Sequence, residues 1–222
     1  MYQSVSVANP VVPKSLKTQA PHPSTNSIFK RCLDIVGSLV GLLILAIVFL
    51  PVAIAIKLDS PGPIFYSQER YGLQGRPFRI RKFRSMVQNA DVLKSQVNNE
   101  ASGLIFKNER DPRVTRIGRF LRSSSLDELP QFWNVLVGEM SLVGTRPPTA
   151  DEVARYNEYH WQRLNVKPGL TGEWQVNGRS SVKDFEEVVN LDLRYQRQWY
   201  PLYDLVIIAK TIYVIFAKVG AC

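Results

Sequence analysis

The chain has 222 residues, 45% of them hydrophobic, and carries 28 Lys and Arg against 19 Asp and Glu for a formal charge of +9. That length suits one catalytic domain with appendages and excludes two large domains. The two cysteines, Cys32 and Cys222, lie at opposite ends and only His22 and His160 are present, which excludes a disulfide framework, zinc-finger spacing and a multi-histidine metal centre.

Residues 1–27 set Pro10, Pro13, Pro21 and Pro23 among Ser, Thr, Asn and Gln. Such a composition buries too little apolar surface to offset ordering, so a disordered tail is expected there. Residues 35–56 then run without a charge between Lys30-Arg31 and Lys57, long enough for a membrane helix. Pro51 removes a backbone donor and clashes with the Ile47 carbonyl, so this helix should kink or break. A straight span and a bent hairpin returning to its entry side both stay open at this point, and positive charge on both flanks suits the hairpin.

After Ser60-Pro61-Gly62-Pro63, residues 64–69 and 78–83 read as two strands joined by a turn-rich connection. Alternation in the second puts Phe78, Ile80 and Lys82 on one face and Arg79 and Arg81 on the other, so Lys82 interrupts an apolar face. From Arg70 to Arg122 thirteen basic residues face four acidic ones, an excess equal to the net charge of the chain. Such a block seeks phosphates, whether in nucleic acid, lipid headgroups or a phosphorylated substrate. Residues 115–121 and 129–136 read as amphipathic helices, the second ending near Gly138. Thr149 with Glu152 signals a capping box for a helix to about residue 163, and Ser181 opens another to about 198. Residues 205–217 are apolar but too short to span a bilayer, which fits a membrane-contact helix.

Asp127 and Glu128 sit in Ser125-Leu126-Asp127-Glu128-Leu129-Pro130-Gln131, where a helix begins. Ser125 and Glu128 fit a capping box, and acids there are stabilising through the helix dipole. Pro130 conflicts with that register; starting the helix at Asp127 puts Pro130 in the tolerated first turn and leaves the Asp127 carboxylate less committed to capping. Two acids beside a basic block suit phosphoryl chemistry: a carboxylate attacks phosphorus, Mg²⁺ bridges diphosphate oxygens, and Arg or Lys neutralises charge. The chain has no GxxxxGK[ST] loop and no DxD pair.

Six segments in order, Gly62-Pro63-Ile64-Phe65-Tyr66-Ser67-Gln68-Glu69-Arg70, Lys82-Phe83-Arg84-Ser85-Met86, Ser125 to Gln131, Gly144-Thr145-Arg146-Pro147-Pro148, Lys167-Pro168-Gly169-Leu170-Thr171-Gly172 and Gln175-Val176-Asn177-Gly178-Arg179, together with Lys30-Arg31, resemble the bacterial sugar transferases. These are monotopic phosphoglycosyl transferases, also called polyprenyl-phosphate hexose-1-phosphate transferases. The resemblance covers roughly residues 28–220. It implies transfer of hexose 1-phosphate from a UDP-sugar to polyprenyl (undecaprenyl) phosphate, with Mg²⁺ and release of UMP. By carry-over, Asp127 is the covalent nucleophile, Glu128 its metal or acid/base partner, and both are metal ligands. Lys82 and Arg146 contact the phosphates, and Arg179 and Gln175 lie toward the nucleotide.

The family's apolar segment is re-entrant and broken at a proline, here Pro51. The architecture implied is helix-rich α/β: a compact cytoplasmic catalytic domain over residues 59–222, on a re-entrant helix-break-helix at 28–58, behind a tail at 1–27. Amphipathic interfacial helices include a C-terminal one at about 202–218. Location at the bacterial inner membrane, contact with membrane lipid, and no nucleic-acid partner follow, and a homodimer is compatible. Larger relatives carry a further N-terminal membrane region, so a catalytic core is expected here. Thr145 replaces a common proline and Leu50 a common serine, which raises the question of what stiffens the Arg146 loop. The competing reading is a membrane-tethered basic protein that binds anionic lipid or nucleic acid without chemistry.

Overall fold

The structure is a computed structural model that describes residues 12–13, 20–178 and 182–217. Helix α1, Ile28–Asp59, is one apolar element that would be about 48 Å long if straight. Its first turn is capped by the Ser27 hydroxyl, which accepts from the Lys30 N–H at 3.3 Å. Lys30, Asp34, Ser38, Gly41, Val52, Ala53 and Ile56 are buried along one stripe, while Val36, Leu39, Leu43, Ile47, Leu50 and Ile54 stay exposed. The body of the protein therefore touches α1 near both ends and leaves an apolar face bare. Of the kink or break expected at Pro51, a break is not seen: the chain is helical from Ile28 to Asp59 with Pro51 inside. A proline deletes one donor, and the bonds on either side hold the helix together.

Polar contacts fix both ends of α1. The Lys30 ammonium donates to Asp204 Oδ2 and to the Val143 carbonyl, each at 2.7 Å. Asp34 Oδ1 accepts from Ser141 Oγ and from the Leu142 N–H at 2.8 Å each. Arg31 donates to the carbonyls of Val135 and Leu136 at 2.9 and 2.7 Å. At the far end the Arg84 guanidinium donates to the carbonyls of Ser60 and Pro61 at 2.6 and 2.7 Å, and Asp59 accepts from the Ile117 N–H at 2.9 Å. Lys30 and Arg31, read from sequence only as charges flanking the apolar run, thus also fasten α1 to the body of the protein.

Strands β1 (Phe65–Tyr71) and β2 (Pro77–Phe83) pair antiparallel, with Tyr66 opposite Lys82 and Arg70 opposite Phe78. Phe78 and Ile80 are buried and Arg79 and Arg81 exposed, as the alternation required. Phe49 of α1 stacks on Phe65 and Phe83 with ring centroids 5.8 and 6.3 Å apart, so the hairpin seats directly on the apolar helix. Helix α2 (Arg116–Ser123) crosses so close to the hairpin's exit that a Cβ on Gly118 would stand 1.9 Å from the Ser85 carbonyl oxygen. No side chain fits there. A 3₁₀ turn, Leu126–Gln131, then leads into α3 (Phe132–Val137), which Gly138 ends with φ +87°.

Strand β3 (Ser141–Val143) pairs parallel with β4 (Gly169–Thr171). Between them the single helix expected from Thr149 is two short ones, α4 (Ala150–Val153) and α5 (Glu158–Trp161). Asn157 starts the second with its own capping box, which a continuous helix could not accommodate. Helices α6 (Glu173–Val176), α7 (Phe185–Gln198) and α8 (Tyr203–Phe216) complete a helix-rich α/β chain. Asp184, and not Ser181, caps α7, and Ser181 lies outside the described residues. The central core gathers Phe78, Ile80, Val135, Met140, Leu142, Val166, Tyr195 and Ile207 beneath both strand pairs.

The stretch expected as tail is folded at its end. Pro23–Thr25 form a 3₁₀ turn with Ser24 buried, and the His22 ring joins Ser24 Oγ and the Gln196 carbonyl at 2.9 Å each while meeting Trp199 edge-on. Composition measures apolar surface, and this segment is held by polar partners on α7 instead. Residues 1–11 and 14–19 lie outside the described residues.

Candidate active site

Ser125 adopts φ 56°, a left-handed conformation that turns the chain sharply before Leu126–Gln131. No side-chain cap forms at Ser125, so the Ser125–Glu128 capping box, with which Pro130 conflicted, is absent. The turn carries Asp127 inward, where only 5% of the residue is exposed, and sends Glu128 toward the hairpin. There Glu128 Oε1 accepts from the Lys82 ammonium at 2.8 Å. Lys82, the polar interruption of an apolar face, is therefore a partner of the acid pair. Both side chains keep about a quarter of their surface open (26% and 22%), which leaves the pair reachable by substrate.

A second cationic group forms where the 145–148 loop meets β1. The four carbonyls of that loop are all bound: Thr145 by the Gly169 N–H, Arg146 by Arg163 Nη2, Pro147 by Arg70 Nη1 and Pro148 by the Tyr71 N–H. The Thr145 hydroxyl adds a bond to the Arg163 carbonyl at 3.1 Å. A hydrogen-bond network thus stiffens the loop that proline would stiffen covalently. It presents Arg146, whose guanidinium makes a two-pronged bond to Glu152 at 2.8 and 3.0 Å and lies 5.8 Å from the Trp174 ring centre. Burial opposes the Glu152 charge, but Arg146 overrides it and holds Glu152 below the usual carboxylate range. Stability from this pair is present above the unfolded carboxyl value and lost as pH falls through the lower folded one.

Gly144, Gly169 and Gly172 bring α6 to this loop. A Cβ on Gly172 would stand 2.0 Å from the Gly144 carbonyl oxygen, and one on Gly169 2.1 Å from the Gly144 nitrogen. Gln175 lies on α6 beside the close approach of Gly172, its Oε1 3.2 Å from where a Cβ on Gly172 would stand. Arg179 lies outside the described residues.

Sequence reasoning missed the residues that join these groups. Arg70 shares a face of the hairpin with Lys82 and feels the charges of Arg146, Glu152 and Glu128; its signal was alternation along β1, unusable until the register with β2 was known. Arg163 had no signal. It is fully buried, its guanidinium bound to Asp192 Oδ2 at 2.6 and 2.8 Å and to the Tyr156 hydroxyl at 2.6 Å. Arg163→Leu should cost about 3–5 kcal/mol by stranding Asp192, read as a lowered unfolding midpoint, and a change under 1 kcal/mol would show that the network is not integral.

Among the described residues no three His, Cys, Asp or Glu side chains cluster to hold a metal. Asp127 and Glu128 are the carboxylates that could hold Mg²⁺ in the other common arrangement, one or two carboxylates plus substrate phosphates.

A family model described as bacterial sugar transferase matches residues 25–218. Galactosyl transferase CpsE of Streptococcus agalactiae serotype III is 50% identical over 196 residues, covering 87% of this chain and 43% of the relative. A UDP-glucose:undecaprenyl-phosphate glucose-1-phosphate transferase of Escherichia coli K12 is 39% identical over 221 residues, 96% of this chain and 45% of the relative. The chain thus spans less than half of each of these relatives. Exopolysaccharide production protein ExoY of Sinorhizobium fredii is 40% identical over 191 residues, 83% of this chain and 84% of the relative.

Proposed function

The chain belongs to the bacterial sugar transferase family, and from that premise we propose that it transfers hexose 1-phosphate from a UDP-sugar to undecaprenyl phosphate, releasing UMP, as an early step of exopolysaccharide or related glycan assembly. The observation that carries the reading is the buried Asp127 beside the Lys82–Glu128 pair. An Asp127 oxygen attacks the phosphorus attached to the sugar, the bond from that phosphorus to the bridging oxygen breaks, and UMP leaves. A phosphate oxygen of the lipid acceptor then attacks the same phosphorus and frees Asp127. Lys82 offsets charge on the moving group and orients Glu128. Mg²⁺, when bound, would neutralise diphosphate oxygens.

The binding-only reading gives no role to the buried Asp127 or to the bond between Glu128 and Lys82. Arg84 and Arg113 are engaged within the chain, while Arg76, Arg79, Arg81, Arg110, Arg116 and Arg119 of the basic block stay exposed. The test is UMP release across a panel of UDP-sugars with polyprenyl phosphate present. Release of UDP, or of no nucleotide, would overturn the reading. EDTA should abolish turnover, and full activity after exhaustive chelation would remove the metal from it.

The same reading has α1 enter and leave on the cytoplasmic face of the inner membrane, bent near Pro51. Support comes from the contacts of both ends with one body, through Lys30 and Asp34 at the start and Asp59 and Ser60 at the finish. A straight helix crossing a hydrocarbon layer of about 30 Å would carry one end away from that body. Ser27→Cys and Ser60→Cys, in a background lacking Cys32 and Cys222, should both be shielded from an impermeant periplasmic thiol reagent. Labelling at position 27 alone would favour a span.

A further inference from the structure

The site has two cationic poles, and the transfer proposed above involves two phosphates with different fates: one moves with the sugar, the other departs on the nucleoside. Lys82 is bonded to Glu128, next to Asp127. Arg70 lies on the same face of the hairpin but four residues along β1 from Tyr66, the partner of Lys82, a displacement of about 13 Å along the strand. Its Nε and Nη2 both donate to Gln68 Oε1, at 3.0 and 2.7 Å, and its Nη1 donates to the Pro147 carbonyl at 2.9 Å. These three bonds fix the plane of the guanidinium and leave two of its five N–H donors for a ligand. The neighbouring Arg146 is fixed as firmly by Glu152.

Two guanidiniums are therefore held close together. Burial and the charge of Arg146 lower Arg70 to about 10, still far above neutral pH, so both are cationic at once. Glu152 is engaged by Arg146, and Glu128 by Lys82. Like charges immobilised side by side stabilise a bound anion, and a planar fork with free donors matches phosphate oxygens.

We propose that Arg70 and Arg146 together bind the phosphate that leaves with the nucleoside, while Lys82 serves the phosphate that is transferred. Arg70 is then a substrate-binding residue for the departing UMP. The inference rests on the transfer reading for its chemistry, and its test does not depend on turnover. Binding of UMP and of uridine to the full chain in detergent micelles is measured by calorimetry without added divalent cation, so that the UMP-to-uridine affinity ratio reads the protein's own phosphate contacts.

Arg70→Gln should lower that ratio at least tenfold, and Arg70→Lys, which keeps the charge and one donor for Pro147, should restore part of it. An unchanged ratio in folded Arg70→Gln overturns the proposal, as does equal loss of UMP and uridine binding in both variants, which would mark a purely structural role. Should Arg70→Gln fail to fold, Gln68→Leu releases the fork while keeping the arginine and should lower the ratio; an unchanged ratio there overturns the proposal too. A wild-type chain that releases no UMP on turnover would defeat the transfer reading instead.

Discussion

Asp127→Asn should reduce turnover on the order of 10⁴-fold or more and abolish covalent labelling, while leaving the fold intact. The substitution preserves shape and removes the nucleophilic charge, and loss of a covalent nucleophile is among the largest single effects in enzymes. Asp127 is buried at a turn set by the left-handed Ser125, and asparagine keeps its size and shape there. Wild-type protein given UDP-sugar without lipid should gain one hexose-phosphate mass on the peptide containing Asp127 and release up to one equivalent of UMP. The variant should show neither. An adduct of that mass on Asp127→Asn would move the nucleophile elsewhere, and UMP appearing only with both substrates present would point to a ternary complex.

Glu128→Gln should lower turnover about 10²–10⁴-fold, the range for a lost proton-transfer group, and blunt the response to Mg²⁺. Stability should hardly change, because an ion pair as open as Lys82–Glu128 is worth about 1 kcal/mol or less. The contrast between a large kinetic and a small thermodynamic effect separates a chemical role from a structural one. Lys82→Met should also impair turnover, and since the two groups are bonded, the double variant should fall short of the product of the single effects. Strict multiplication of the two defects would mean that Lys82 and Glu128 act independently.

Local patterns told most where the chain's own period decides the outcome. The alternation 78–82, the Thr115 and Thr149 helix starts and the Gly138 stop all appear in the structure, because each depends on residues within one turn or strand. The helix expected from Thr149 divides because Asn157 offers a second cap, a competition that periodicity does not weigh. At the candidate site, Asp127, Glu128, Lys82 and Arg146 were singled out by residue type and by ordered motifs. Their arrangement was not legible there. Pairing of Lys82 with Glu128 spans 46 positions, and the Arg70 face depends on a register that only the hairpin's backbone pairing fixes. The bonds that Lys30 and Arg31 make were hidden for the same reason, since their partners lie more than a hundred positions away.

Those distant partners bear on how the protein is made. Lys30 awaits Asp204, 174 positions later, and Asp34 awaits Ser141, 107 positions later. At ordinary translation rates the first of these intervals lasts roughly ten to thirty-five seconds. During that time the long apolar helix has been made without the carboxylate that pairs with its buried Lys30. Final seating of α1 by these contacts therefore waits on synthesis of α8, so the apolar helix is made long before it can be locked in place.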